Sequence, residues 1–60
     1  MTINYYIEQV RKDNLQMFST TGLESNKERA ITMANYFVEK NKRQVRVVNW
    51  QNKVIYERSQ

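Results

Sequence analysis

The chain has 60 residues, enough for one domain spanning positions 1–60, and a chain this short buries only about 60% of its unfolded surface. It holds no cysteine and no histidine, which removes disulfides, a structural zinc site and every Ser-His or Cys-His nucleophile. Ten Lys and Arg against six Asp and Glu leave a net charge of +4, a balance compatible with an anionic partner but common among small proteins that bind none.

The first element is a strand over Ile3–Arg11. Ile3, Tyr5 and Ile7 alternate with Asn4, Tyr6 and Glu8, and aromatic and β-branched types dominate. Asp13-Asn14 is the turn signal, since both residues tolerate a left-handed backbone. A second strand follows over Leu15–Thr21. With a two-residue loop, Val10 faces Met17 and Gln9 faces Phe18. Phe18 then shares a face with Ile3, Tyr5 and Ile7, and Tyr6, Val10 and Met17 share the other. Gly22-Leu23-Glu24 breaks the strand.

Ser25-Asn26-Lys27-Glu28 reads as a capping box with Ser25 at the N-cap. Ala30, Ile31, Ala34, Phe37 and Val38 follow at helical spacing. The helix runs to Lys40 or Asn41, with Asn41 as a left-handed cap and Lys40, Lys42 and Arg43 near the negative end of the dipole. Met33 and Tyr36 flank the apolar stripe and widen it.

Gln44–Asn49 and Lys53–Arg58 form a second strand pair around Trp50-Gln51-Asn52, with Asn52 in the position glycine often takes. Two registers are open. A three-residue loop puts Val45, Val47 and Ile55 on one face, whereas a four-residue loop puts Val45, Val47, Val54 and Tyr56 there. The order is ββαββ. The expected fold is α+β: a four-stranded antiparallel sheet with one helix packed on one face, in strand order 2-1-3-4. The expected core is Ile3, Tyr5, Ile7, Phe18, Ala30, Ile31, Ala34, Phe37, Val38, Val45, Val47 and Ile55.

No constellation carries recognisable chemistry. Ser19, Ser25 and Ser59 have no activating base. Glu8, Asp13, Glu24, Glu28, Glu39 and Glu57 have structural explanations in caps, turns and ion pairs, and a single glycine cannot build a phosphate-cradling loop. The expectation is a protein that is not an enzyme and needs no cofactor and no metal. Two surfaces remain. The uncovered sheet face, on the three-residue register, carries Tyr6, Val10, Met17, Arg46, Val48, Val54, Tyr56 and Arg58, a mixture favoured in interface cores. Trp50, in the turn, has two readings: an exposed anchor residue that joins this face, or a ring folded back and buried over the sheet edge. The second surface is the basic cluster of Lys40, Lys42, Arg43 and Arg46, with Arg58. It suits phosphate contacts, with Trp50 or Tyr56 stacking on a base.

The Ser25-Asn26-Lys27-Glu28-Arg29-Ala30 helix entry and the Val45-Arg46-Val47-Val48-Asn49 and Val54-Ile55-Tyr56-Glu57 hairpin resemble a loose group of small stand-alone bacterial proteins of unknown function with a ββαββ arrangement. Asn52 stands where their hairpin turn commonly has glycine. The resemblance implies a fold and carries over no activity or functional residue. With no apolar run near the roughly 20 residues needed to span a bilayer, no basic leader and no cysteine, a cytoplasmic location is expected. The expected role is a small protein-interaction module whose open sheet face takes either a protein partner or a second copy of the chain. Nucleic-acid binding is the alternative.

Overall fold

A computed structural model describes residues 4–59; the predicted strand start and core position at Ile3 lie outside them. β1 (Tyr5–Val10), β2 (Phe18–Glu24), α1 (Lys27–Asn41), β3 (Val45–Asn49) and β4 (Val54–Arg58) follow in the expected ββαββ order. The strands form one antiparallel sheet in the order β2-β1-β3-β4, so α1 carries the chain from the β2 edge to the far side of β1. No helix among the described residues is long and apolar enough to cross a membrane.

The core lies between α1 and one sheet face. Ala30, Ala34 and Val38, four residues apart, form the buried stripe of the helix over Ile7, Val45 and Val47 of the central strands. Two alanines in that stripe let the helix lie close to the sheet. Met33 and Phe37 flank it, and Tyr5, Ile55 and Tyr56 pack against it from the strands. Ile31, expected in the core, is only half-buried. It sits on the opposite flank of the stripe from Met33 and Phe37, which are the two that pack against the core. Tyr36 stays exposed.

The helix starts one residue later than the capping box implies. Asn26, in extended backbone, is the N-cap, and its Oδ1 accepts from Arg29 N at 3.1 Å. Asn caps as well as Ser does, and β2 continues to Glu24 paired with Tyr5, which leaves Ser25 as the link. The end is displaced likewise. Asn41 is helical and donates to Gln9 Oε1 at 2.8 Å, while Lys42 takes the left-handed position (φ 58) and donates to Val38 O. A side chain costs energy there that glycine avoids. Lys42→Gly is expected to stabilise the domain by about 0.5–1 kcal/mol, a rise of about 2–8 °C in a thermal melt.

The first hairpin is longer than a two-residue turn. Arg11 N donates to Met17 O at 2.8 Å and Met17 N to Asn14 O, so the turn is built on Asn14–Met17. Asn14 Oδ1 accepts from Gln16 N, and Arg11 clamps Asp13 through two hydrogen bonds. That Arg11 hydrogen bond holds the exposed Asp13 carboxyl below its usual 3.8. The register consequently slips by one: Val10 pairs with Phe18 rather than Met17. Phe18 therefore leaves the helix side for the opposite face, and Met17 sits exposed at the loop end.

Gly22 is not a breaker. It pairs with Ile7 inside β2, and a Cβ there would lie 2.9 Å from Met33 Cε. That atom is the end of a flexible side chain, so the site holds the Met33 methyl over the strand without requiring glycine.

The second hairpin has the three-residue loop. Asn49 N donates to Lys53 O and Asn52 N to Asn49 O, with Asn52 left-handed at φ 61. A bulge then intervenes. Val48 pairs with Val54 and Val47 with Tyr56, leaving Ile55 as the extra residue. Val54 faces away from the helix, as that register requires, while Tyr56 and Arg58 are turned toward it. A matching bulge at Thr21 lies in β2, between Thr20 opposite Glu8 and Gly22 opposite Ile7. Both outer strands are thus kinked, which spoils the regular ladder a passing strand would need.

Candidate interface on the uncovered sheet face

The sheet face away from α1 is covered by no helix or strand among the described residues. Cross-strand pairing arranges its side chains in rows. The first row runs Leu23, Tyr6, Val48, Val54 across all four strands, through the pairs Tyr6–Leu23, Tyr6–Val48 and Val48–Val54. It is apolar apart from the Tyr6 hydroxyl. Its inner member Val48 is 3% exposed, while its ends, Leu23 and Val54, are 50% and 43% exposed.

The second row runs Thr20, Glu8, Arg46, Glu57. Arg46 Nε lies 2.8 Å from Glu8 Oε1. The Arg46 guanidinium carbon also stands 4.0 Å from the centroid of the Phe18 ring, a cation–π arrangement. The third row is the Val10–Phe18 pair. Two partners therefore hold Arg46 flat on the face, and its charge is met within the chain.

Of the residues expected on this face, Tyr6, Val10, Arg46, Val48 and Val54 are there. Tyr56 and Arg58 are not: the bulge at Ile55 turns them to the helix side. Tyr56 Oη donates to Asn35 Oδ1 at 2.8 Å, Arg58 Nη1 donates to the same oxygen at 2.9 Å, and Arg58 Nη2 lies 3.6 Å from Glu39. Met17 lies in the loop before β2. Trp50 occupies the β3–β4 turn at the end of the sheet. It is 60% exposed, with its ring edge-on to Tyr5 of the helix-covered face at 6.4 Å between centroids. Leu23 and Phe18 were not expected on this face. The signal for Leu23 is an apolar residue following a glycine that lies inside the strand rather than in a turn. Nothing local marks Phe18.

The basic residues do not converge. Arg46 is committed on the uncovered face and Arg58 on the helix side. Lys40 Nζ stands 5.5 Å from the Tyr36 ring centroid, and Lys42 caps α1. Arg43 lines a polar depression of about 280 Å³ with Arg11, Lys12, Asp13 and the β2 hydroxyls. A second depression of about 420 Å³ beside the start of α1 has mixed lining: Glu24, Glu28, Arg29, Thr32 and Met33. Among the described residues no group of three or more Asp, Glu, His or Cys is placed to hold a metal. Comparison of the chain with protein-family models, curated proteins and solved structures returned no match.

Proposed function

We propose that the chain is a non-catalytic, intracellular protein-interaction module that docks through its uncovered sheet face. The observation that carries this reading is the unbroken apolar row Leu23–Tyr6–Val48–Val54, whose two ends are exposed. An apolar row that crosses the sheet and stays exposed at both ends gives a partner two apolar footholds on one face, whereas scattered surface apolar residues are ordinary. Nucleic-acid binding is the second reading, and the dispersal of Lys40, Lys42, Arg43, Arg46 and Arg58 counts against it. Backbone recognition wants cations aligned along one track.

The test exploits the exposed ends of the row, which can be altered without opening the core. A photo-crosslinking residue at position 54 is expected to capture protein in cells. The same group at position 32, an exposed helical site facing away from the sheet, is expected to capture little. Leu23→Glu should abolish capture from position 54. Equal labelling from positions 54 and 32, or labelling indifferent to Leu23→Glu, removes the reading.

A further inference from the structure

We infer that the occupant of the uncovered face is a second copy of this chain, packed face to face about a two-fold axis that runs along the strands between β1 and β3. The inference rests on the reading of that face as an interface and adds the identity and orientation of the partner.

Strand order and row composition carry it. Rotation about an axis parallel to the strands, midway between β1 and β3, lays β1 over the partner's β3 and β2 over its β4. Each row then meets its own counterpart reversed. In the apolar row, Tyr6 lies over the second copy's Val48 and Leu23 over its Val54. In the charged row, Glu8 lies over the second copy's Arg46, and Arg46 over its Glu8. Glu57, a carboxylate opposite Arg46 across the β3–β4 pair, lies over the Thr20 hydroxyl. Every position in both rows thus meets a group of matching chemistry.

The alternative in-plane axis, running across the strands along the charged row, would stack Glu8 on Glu8 and Arg46 on Arg46. Like charges so placed cost several kcal/mol, so the electrostatics select the first axis. Removal of the Glu8–Arg46 pair from water is itself costly. In the proposed pair each ion gains a second partner of opposite sign, which offsets that cost. Aligned packing of two twisted sheets, about 10 Å apart, is the ordinary way such faces meet. An isologous two-fold contact is also the commonest form of self-association. The kinked outer strands direct association to the face rather than to the edges.

Size sets the expected strength. Four strands about 4.8 Å apart and five residues at about 3.3 Å each give a footprint of roughly 19 by 16 Å. That is about 300 Å² on each copy, below the usual range of stable specific interfaces, so the dimer is expected to be weak, with a Kd between about 100 µM and about 1 mM, and concentration-dependent.

Sedimentation equilibrium of the full native chain from about 1 µM to about 1 mM is the first measurement. The mass is expected to rise from one chain toward two. Glu8→Arg and Arg46→Glu, each shown folded by circular dichroism, are then measured separately and as an equimolar mixture. Each variant alone places like charges in the row and should weaken association at least about tenfold. The mixture should restore it, because Arg at position 8 of one copy meets Glu at position 46 of the other.

Isotope-filtered NMR of mixed labelled and unlabelled native protein supplies a readout that needs no variant. It is expected to show contacts between the Leu23 methyls of one copy and the Val54 methyls of the other, the two exposed members of the row. A native chain that stays monomeric at the top concentration, or a dimer without the Leu23–Val54 contact, overturns the inference. So does a dimer indifferent to Glu8→Arg, or a mixture of the two variants that does not associate. A monomer whose position-54 crosslinking still depends on Leu23 would sink the second copy alone and leave the interaction face standing.

Discussion

Ile7→Ala is expected to leave the chain without a cooperative unfolding transition at room temperature. Ile7 is fully buried at the centre of β1, paired with Gly22 on one side and Val47 on the other, beneath the alanines of α1. Truncation of such a side chain costs about 2–5 kcal/mol, from lost transfer energy plus the cavity left behind. A single core in a domain of this length supplies only about 3–5 kcal/mol net. The loss therefore takes most or all of the stability, and the two Ala residues facing Ile7 have no volume with which to fill the gap. Urea titration followed by far-UV circular dichroism checks this. Ile7→Val is the graded control, expected to shift the midpoint by about 0.5–1.5 kcal/mol while keeping the transition sharp. An Ile7→Ala protein that melts cooperatively near the native midpoint would show that the core lies elsewhere.

The second large effect is expected at Asn49, the buried polar residue that closes β3. Its Oδ1 accepts from Gln51 N at 2.9 Å and from Lys53 N at 3.0 Å, and its backbone exchanges bonds with Lys53 and Asn52. One side chain thus satisfies the amides of a turn that has no glycine to relieve it. Asn49→Ala leaves two donors without that acceptor and should cost about 2–3 kcal/mol, a large share of the total. Asn49→Asp keeps an acceptor in place and should cost less. Trp50, the single tryptophan, sits on this turn against Tyr5, so its fluorescence reports the opening directly. If the alanine and aspartate variants unfold at the same denaturant concentration, the turn does not depend on that oxygen.

Periodicity made much of this architecture readable beforehand. The Ala30–Ala34–Val38 stripe, the Val45–Val47 alternation and the Asn52 turn each follow from local pattern, and the order β2-β1-β3-β4 follows from short connections once the elements are known. What pattern could not reveal is where alternation resets. The bulge at Ile55 shifts Tyr56 and Arg58 to the other side without leaving any trace in residue type, because both suit either face. The turn on Asn14–Met17 moves Phe18 for a similar reason: Asp13-Asn14 is consistent with a tight loop and with a longer one. Gly22 looks like a breaker because, in one dimension, a glycine paired inside a strand is the same as a glycine in a turn. On the candidate interface, Tyr6, Val10, Val48 and Val54 were accessible from spacing alone. Leu23 and Phe18 emerged only with the pairing in hand, and the split of the basic cluster depends on tertiary partners such as Phe18, Asn35 and Glu39.

The kinks at Thr21 and Ile55 bear on what happens when this protein becomes crowded. A straight rim would let neighbouring molecules annex one another's backbones, and each addition would offer a fresh rim, so growth would have no natural end. Here both margins refuse that addition. Whatever joins the flat side uses up that apolar row and offers no fresh rim in return, so assembly through it stops at a finite count instead of running on into fibres.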